Sequence, residues 1–223
     1  MGGTTFNGDG HSITAIDPSG GHFLGAVLQA DAGVGPMTVM NTTVQASNLA
    51  TACDAGADRL RGILFDGARG TITDNTVVNI EQSTNGDGCQ EGNAIEARSA
   101  PFDKTGTNDL AVLIVNNVIT QYQKSGIVAN GSVPATIRNN SVTGDGPINF
   151  TAQNGIQVGL EATAVVKMNS SSGNNYTPKS DIACGFLIYQ ADGVSASGNN
   201  LFNNERNQCN FGKGGGTFKP ATP

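Results

Sequence analysis

The chain has 223 residues, only 13% of them are charged, and its formal net charge is −6. Nucleic acid requires a basic face that this composition does not supply, so no nucleic-acid partner is expected. No apolar run reaches about 18 residues, so no transmembrane helix is predicted. Disordered chains usually combine high charge with few β-branched residues, and this chain does not fit that class.

Residues 1–24 are predicted to form an N-terminal cap with a partial first turn. Residues 6–14 supply the partial turn, and Asp17-Pro18 followed by Gly20-Gly21 predicts a reversal of the chain. A stack of strands exposes unpaired edges at its end, which a cap would protect. Residues 1–3 are expected to stand where a leader peptide has been removed.

From residue 25 onward, a short apolar sequence motif occurs in six copies. The copies begin 29 to 37 residues apart, at Gly25, Gly62, Ala94, Gly126, Gly155 and Gly185. Apolar side chains fall at alternate positions, which is the period of a β-strand with one face inward. Repeats at this spacing predict a solenoid, in which equivalent strands of successive turns lie about 4.8 Å apart.

A second motif alternates with the first and contains a recurring asparagine between apolar residues. The asparagines are Asn75, Asn117, Asn140, Asn169 and Asn199, and we call them the asparagine column. The earliest copy has Thr42 at this position. Asparagine tolerates left-handed backbone angles and bonds nearby backbone, so the column is expected at a bend after a strand. Stacked amides can also bond along the column.

This arrangement resembles the right-handed parallel β-helix of the pectate-lyase-like family, in which an internal asparagine ladder marks the same bend. The resemblance covers about residues 25–202 and implies an all-β, right-handed parallel β-helix of about seven turns. The expected division is a cap and partial first turn at 1–24, the β-helix at 25–212 and a tail at 213–223. Because the scaffold carries many functions, the resemblance concerns the fold. The catalytic patterns of pectate lyases, polygalacturonases and pectin methylesterases are not found.

The four cysteines are predicted to form two disulfides between neighbouring turns. No CxxC pair occurs, so a zinc site is not expected. Cys53 and Cys89 precede successive copies of the first motif, and Cys184 and Cys209 lie one turn apart. We predict the pairs Cys53–Cys89 and Cys184–Cys209, with four buried thiols as the alternative. Disulfides form in oxidising compartments, which indicates a secreted or cell-surface protein.

Charged residues concentrate in two adjacent turns. Asp66 and Arg98 should stack directly, with Arg61 and Glu96 beside them, and we call these four the charged quartet. In β-helix enzymes this face forms the polysaccharide groove, so the resemblance implies that the quartet is catalytic. The Asp66 and Glu96 backbones would be roughly 8 Å apart, which suits an inverting glycosidase. The alternative is a surface ladder of ion pairs.

Further side chains on or beside this face are predicted to bind substrate: Asn93, Lys124, Asn130, Gln157 and Tyr189. Alignment of the copies places Gln29, Asp66, Arg98 and Asn130 in one outward column. The three tyrosines, Tyr122, Tyr176 and Tyr189, could stack on sugar rings. The longest insertions between strands are expected to cluster on one side of the solenoid, at 45–61, 81–93, 99–109, 144–154 and 173–184.

Two other types of site are considered. Acidic residues near the predicted Cys53–Cys89 bridge supply oxygen ligands that calcium would accept: Asp54, Asp58, Asp87 and Glu91. Their spacing matches no EF-hand, and the alternative is a set of solvated acidic loops, so no cofactor is assigned. His11 and His22 lack a Ser-His-Asp order and are expected to be structural.

Two functions follow from these observations. The first is a secreted carbohydrate-active or polysaccharide-binding protein, either a lyase or a glycoside hydrolase. The second is a non-catalytic surface or adhesion protein. A polysaccharide or cell-surface glycan is the expected partner, and a monomer is the expected state.

Overall fold

A computed structural model describes residues 3–82, 88–99 and 111–212. Within these ranges the strands form three sheets of seven strands each, and strands neighbouring in a sheet run parallel. The only helix in the described ranges is one 3₁₀ turn, Gly56–Asp58. None of the described segments is a helix long and apolar enough to cross a membrane.

The strands alternate among the three sheets in chain order. The first sheet contains β1 (Thr4–Asn7), β4 (Met37–Met40), β7 (Gly70–Thr73), β10 (Val112–Val115), β13 (Pro134–Arg138), β16 (Thr163–Lys167) and β19 (Val194–Ser197). The second contains β2 (Ser12–Ala15), β5 (Thr43–Ala46), β8 (Thr76–Ile80), β11 (Val118–Tyr122), β14 (Ser141–Ile148), β17 (Ser170–Tyr176) and β20 (Asn200–Phe202). The third contains β3 (Ala26–Asp31), β6 (Arg61–Asp66), β9 (Asn93–Arg98), β12 (Ser125–Asn130), β15 (Asn154–Gly159), β18 (Cys184–Tyr189) and β21 (Arg206–Phe211).

Each coil of the solenoid therefore contributes one strand to each sheet, which is consistent with a parallel β-helix. The copies of the first motif form the strands of the third sheet, and each copy of the asparagine motif spans a strand of the first sheet and a strand of the second. Residues 1–24 include β1 and β2, which pair with the second coil in the same way as later strands do. The tail at 213–223 lies outside the described residues.

Stacked apolar residues fill the interior. One column of the third sheet is at most 1% exposed and consists of Ile63, Ile95, Ile127, Ile156 and Phe186. Two positions later on the same strands, Phe65, Ala97, Ala129 and Val158 are fully buried. Burying one Ile or Phe side chain contributes roughly 1.5–3 kcal/mol, so these columns are a main source of stability. The predicted stacking from the second coil onward is confirmed.

The predicted register of the first coil is wrong by two residues. Leu28 pairs with Ile63, and Asp31, rather than Gln29, pairs with Asp66. A shift by two keeps the same face of the strand inward, so alternation alone could not detect the error. Leu28, rather than the smaller Ala26, stacks on Ile63 and packs against the core, which favours the observed register.

The amides of the asparagine column are linked by hydrogen bonds. The Nδ2 of Asn75 donates to Oδ1 of Asn117 at 3.0 Å, and Asn117 donates to Asn140 at 3.0 Å. Asn140 donates to Asn169, and Asn169 to Asn199, each at 2.9 Å. Each acceptor oxygen also receives the backbone N–H of the preceding asparagine. The first four members are at most 2% exposed, so these bonds are shielded from water.

The left-handed residue of this bend is not the asparagine itself. It is the residue before it, with a φ of 54° to 64° at Asp74, Asn116, Asn139, Met168 and Gly198. The asparagine side chain instead satisfies backbone groups around the bend, for example the carbonyl of Val39 at 3.0 Å from Asn75. The expected role in bonding backbone is therefore seen, whereas the expected left-handed conformation belongs to the neighbouring position.

Both predicted disulfides are present, and no described cysteine is free. The Cα atoms are 5.3 Å apart in Cys53–Cys89 and 6.1 Å apart in Cys184–Cys209. The second bridge joins β18 to β21, the last strand of the third sheet. The bridge therefore links the edge strand β21 covalently to the neighbouring strand of the solenoid.

Candidate functional site

The outer face of the third sheet holds the charged quartet as two ion pairs. Arg61 donates through Nε to Oε2 of Glu96 at 2.6 Å, and each side chain is 4% exposed. Asn93 donates to the same oxygen at 2.9 Å. Arg61 also donates to the carbonyl oxygens of Arg59 and Gly56, at 2.7 and 3.2 Å. The pair is thus buried and surrounded by further hydrogen bonds.

The second pair is bidentate. Arg98 donates through Nε and Nη2 to the two carboxylate oxygens of Asp66, at 2.9 and 2.7 Å. The hydrogen bond to Asp66 is the main reason why the pKa of Arg98 is raised, although burial opposes it. The predicted stacking of Asp66 on Arg98 is confirmed. Both carboxylates of the charged quartet are engaged by arginine, so each would have to leave its pair to move a proton or attack a sugar. Catalysis by the quartet stays a prediction.

Further along the same face lies an open groove with a volume of 690 Å³. Four aromatic side chains line it, and we call it the aromatic groove: Phe150, Tyr176, Tyr189 and Phe211. Tyr189 and Phe211 lie on adjacent strands with ring centroids 6.4 Å apart and an edge-to-face angle of 61°. Tyr189 is 39% exposed, so its ring is accessible to a ligand.

Lys124 lines the aromatic groove and immediately precedes the strand β12. Its Nζ donates to the carbonyl oxygen of Ala152 at 2.7 Å. Burial lowers the pKa of Lys124 to about 8, and the charge of Asp181, which also lines the groove, opposes this shift. A fraction of Lys124 is therefore neutral near physiological pH.

The polar floor of the groove includes Thr151 and Asn154. Asn154 is 4% exposed, and its Oδ1 accepts the backbone N–H of Cys184 at 3.2 Å. Thr151 is 3% exposed, and its Oγ1 has no hydrogen-bond partner among the described residues. Buried hydroxyls are normally paired, so this hydroxyl is a candidate contact for a ligand.

The other predicted binding residues flank the groove or lie below the surface. Asn130 and Gln157 are joined by a hydrogen bond of 3.4 Å on adjacent strands. Gly159 pairs with both Asn130 and Tyr189, and a Cβ there would lie 2.7 Å from the Asn130 Oδ1, so glycine keeps this position open. Asn93 donates to Glu96, and its buried Oδ1 has no partner in the described ranges.

The structure corrects one of the suggested sugar contacts. Tyr122 is fully buried, and its hydroxyl donates to Oδ1 of Asn174 at 2.6 Å. Burial raises its pKa well above the ordinary value. Tyr122 is therefore a core residue, because the apolar ring faces the interior and its hydroxyl finds a buried amide. Tyr176 and Tyr189 lie in the aromatic groove, as stacking requires.

Two of the four acidic residues of the calcium hypothesis, Asp54 and Glu91, have protein partners. Asp54 contacts Nε2 of His22 at 3.1 Å through each carboxylate oxygen. Glu91 is 1% exposed and accepts backbone N–H groups from Asp54 and Leu60. Asp87 lies outside the described residues. In the described part of the chain no three His, Cys, Asp or Glu side chains cluster as a metal site would require. Calcium binding stays a prediction.

Sequence reasoning missed most residues of the groove, including Phe150, Thr151 and Phe211. Phe150 and Thr151 lie in the insertion at 144–154, and Phe211 lies in the last strand. The insertion was visible as a break in the repeat, but its residues follow no period that would fix their direction. Comparison with protein-family models, with curated proteins and with solved structures gives no match. The functional argument therefore depends on the geometry of this face.

Proposed function

We propose that the protein binds a polysaccharide chain in the aromatic groove. The observation that carries the proposal is the concentration of aromatic side chains there. The chain has nine Phe, three Tyr and no Trp, and four of these residues line this one groove. Elsewhere aromatic side chains such as Phe65 and Phe186 fill the core. The exposed ring of Tyr189 and the half-buried rings around it suit the apolar faces of sugars, and nearby polar groups suit sugar hydroxyls.

The surrounding face favours an extended ligand. Asn130, Gln157 and Gly159 continue from Tyr189 toward the N-terminal coils on adjacent strands. These positions lie on a parallel sheet, where successive strands are about 4.8 Å apart, so a linear chain could contact several coils. Rigid strands hold the contacting side chains in place, which limits the entropy lost on binding.

Cellular location and family relationship belong to the same proposal. Two disulfides support a secreted or cell-surface location, since such bonds persist in oxidising compartments. The parallel sheets and the asparagine column support a pectate-lyase-like β-helix, and right-handed winding is the sense that parallel crossovers adopt almost always. We propose that the protein acts by binding, because both carboxylates of the charged quartet are held by arginine. A monomer is the proposed state.

The proposal is tested with Tyr189→Ala and a matched control, Phe202→Ala. Both residues are exposed aromatics, at 39% and 41%, but Phe202 lies on the second sheet. A panel of oligosaccharides is titrated by calorimetry, and Tyr189→Ala should weaken binding about tenfold, or about 1.4 kcal/mol. Phe202→Ala should leave the affinity unchanged. Absence of binding to every glycan, or equal losses in both variants, would refute the proposal.

Turnover is a separate hypothesis with its own measurement. Wild-type protein is incubated with the same glycans, and new reducing or unsaturated ends are followed over time. The proposal of a binding protein expects none. Sustained turnover that disappears in Asp66→Asn and Glu96→Gln would instead assign catalysis to the charged quartet.

A further inference from the structure

The charges of the aromatic groove balance. Among its described lining residues, Lys124 and Asp181 are the only acid or base apart from tyrosine. The two are coupled, since the charge of Asp181 opposes the lowering of the Lys124 pKa. The ammonium of Lys124 also donates to the Ala152 carbonyl. A bound polyanion would find no unbalanced positive charge here, and the whole chain carries a net charge of −6 that would repel it.

Two uncharged side chains of the groove have hydrogen-bonding capacity left over. The hydroxyl of Thr151 has none among the described residues although the residue is 97% buried, its exposure being 3%. Asn154 accepts a hydrogen bond through Oδ1, and no described residue accepts one from its Nδ2. An unpaired buried polar group carries a desolvation penalty that a ligand hydroxyl can relieve. These groups can donate to and accept from a neutral hydroxyl.

We infer that the aromatic groove selects a neutral, hydroxyl-rich glycan over a polyuronate or other polyanion, with the Thr151 hydroxyl hydrogen-bonding a sugar hydroxyl. The inference rests on the proposed function, because it names the class of ligand for the same groove. It also separates this protein from an elimination enzyme. Elimination requires a sugar proton made acidic by an adjacent carboxyl group, and a neutral sugar has none.

The first experiment compares ligand classes on the full chain. Neutral oligosaccharides of glucose, xylose and mannose, and acidic oligomers of galacturonate and guluronate, are titrated at about 0.1 M and about 1 M salt. At least one neutral oligomer should bind with an affinity that changes less than twofold between the two salt concentrations. Tighter binding of an acidic oligomer that weakens strongly with salt would overturn the inference while leaving the proposed function standing. Binding of neither class would overturn both.

The second experiment uses Thr151→Val, with Thr143→Val as the matched control on the exposed side of the second sheet. Valine has nearly the same shape as threonine but no hydroxyl. Thr151→Val should weaken binding of the neutral glycan about tenfold and raise the melting temperature, because it removes an unpaired buried hydroxyl. Thr143→Val should change neither quantity. Unchanged affinity in Thr151→Val would overturn the role of the hydroxyl, whether or not the stability rises.

A third variant tests the charge argument. Lys124→Met keeps an unbranched chain of similar length without the ammonium. The preference for neutral over acidic oligomers should persist in Lys124→Met, since no contact between the ammonium and an acidic ligand contributes to binding in this scheme. A preference for acidic oligomers in the wild type that is lost in Lys124→Met would show that Lys124 binds an anion and would overturn the inference.

Discussion

The asparagine column can be tested by removing one interior member. Asn140 donates to the Oδ1 of Asn169 and to the carbonyls of Ile114 and Arg138, at 2.9, 3.0 and 3.1 Å. Its Oδ1 accepts both the backbone N–H and the Nδ2 of Asn117, each at 3.0 Å. With Asn140→Ala, the Asn117 backbone N–H and the Ile114 carbonyl lose these buried partners. A buried group left unpaired costs about 1–3 kcal/mol, so the two together should cost about 4 kcal/mol.

The matched control is Asn199→Ala in the last coil. Asn199 makes the same kinds of contact, accepting from Asn169 and donating to the Val166 carbonyl at 2.9 Å, but it is only half-buried. Water can replace its bonds, so the loss should be about 1 kcal/mol. Urea unfolding followed by circular dichroism measures both losses. Equal losses, or a loss below about 1 kcal/mol for Asn140→Ala, would refute the argument that burial gives the column its strength.

Three further predictions concern the third sheet. The pKa of Lys124 is about 8 in the folded protein against an ordinary 10.5, so the unfolded state binds more protons between these values and stability should rise with pH across that window. The rise should be about 3 kcal/mol and should be absent in Lys124→Met, as measured by urea unfolding at several pH values. Glu96→Gln should lower stability by about 3–5 kcal/mol, because it leaves Arg61 buried without its counter-charge, and an unchanged unfolding midpoint would contradict this. Replacing Cys184 and Cys209 by Ala should lower the free energy of unfolding by about 3 kcal/mol, because it frees the unfolded chain, and an unchanged urea unfolding midpoint would contradict this.

The repeat made most of the fold predictable. Because equivalent positions of successive coils stack, the spacing of Ile63, Ile95 and Ile127 specified both the strands and their register. The same reasoning placed Cys184 and Cys209 on neighbouring strands, where they form a disulfide. The first coil was less predictable, since its strand precedes the regular part of the repeat and a shift by two residues preserves alternation.

The site was less predictable than the fold. Alternation shows that Glu96 points outward from the third sheet, but it would place Arg61, two residues before the inward Ile63, on the inner face. It also cannot show that Arg61 and Glu96 are each covered and 4% exposed. The direction of Phe150 and Thr151 depends on how a non-repeating insertion packs against its neighbours. Residues on strands, such as Tyr189, could be placed from the sequence, whereas residues on insertions required coordinates.

The insertions explain why one sheet carries both a buried charged quartet and an open groove. Four of the five predicted insertions precede strands of the third sheet: 45–61 leads into β6, 81–93 into β9, 144–154 into β15 and 173–184 into β18, and the first residues of three of them belong to β5, β14 and β17. The fifth, 99–109, precedes β10 of the first sheet and, apart from Ser99, lies outside the described residues. The first four segments therefore adjoin the third sheet next to β6, β9, β15 and β18. Charges covered there must pair to offset the cost of leaving water, which accounts for the two arginine–carboxylate pairs. Phe150, in the insertion 144–154, and Tyr176, the last residue of β17, both line the aromatic groove next to β15 and β18.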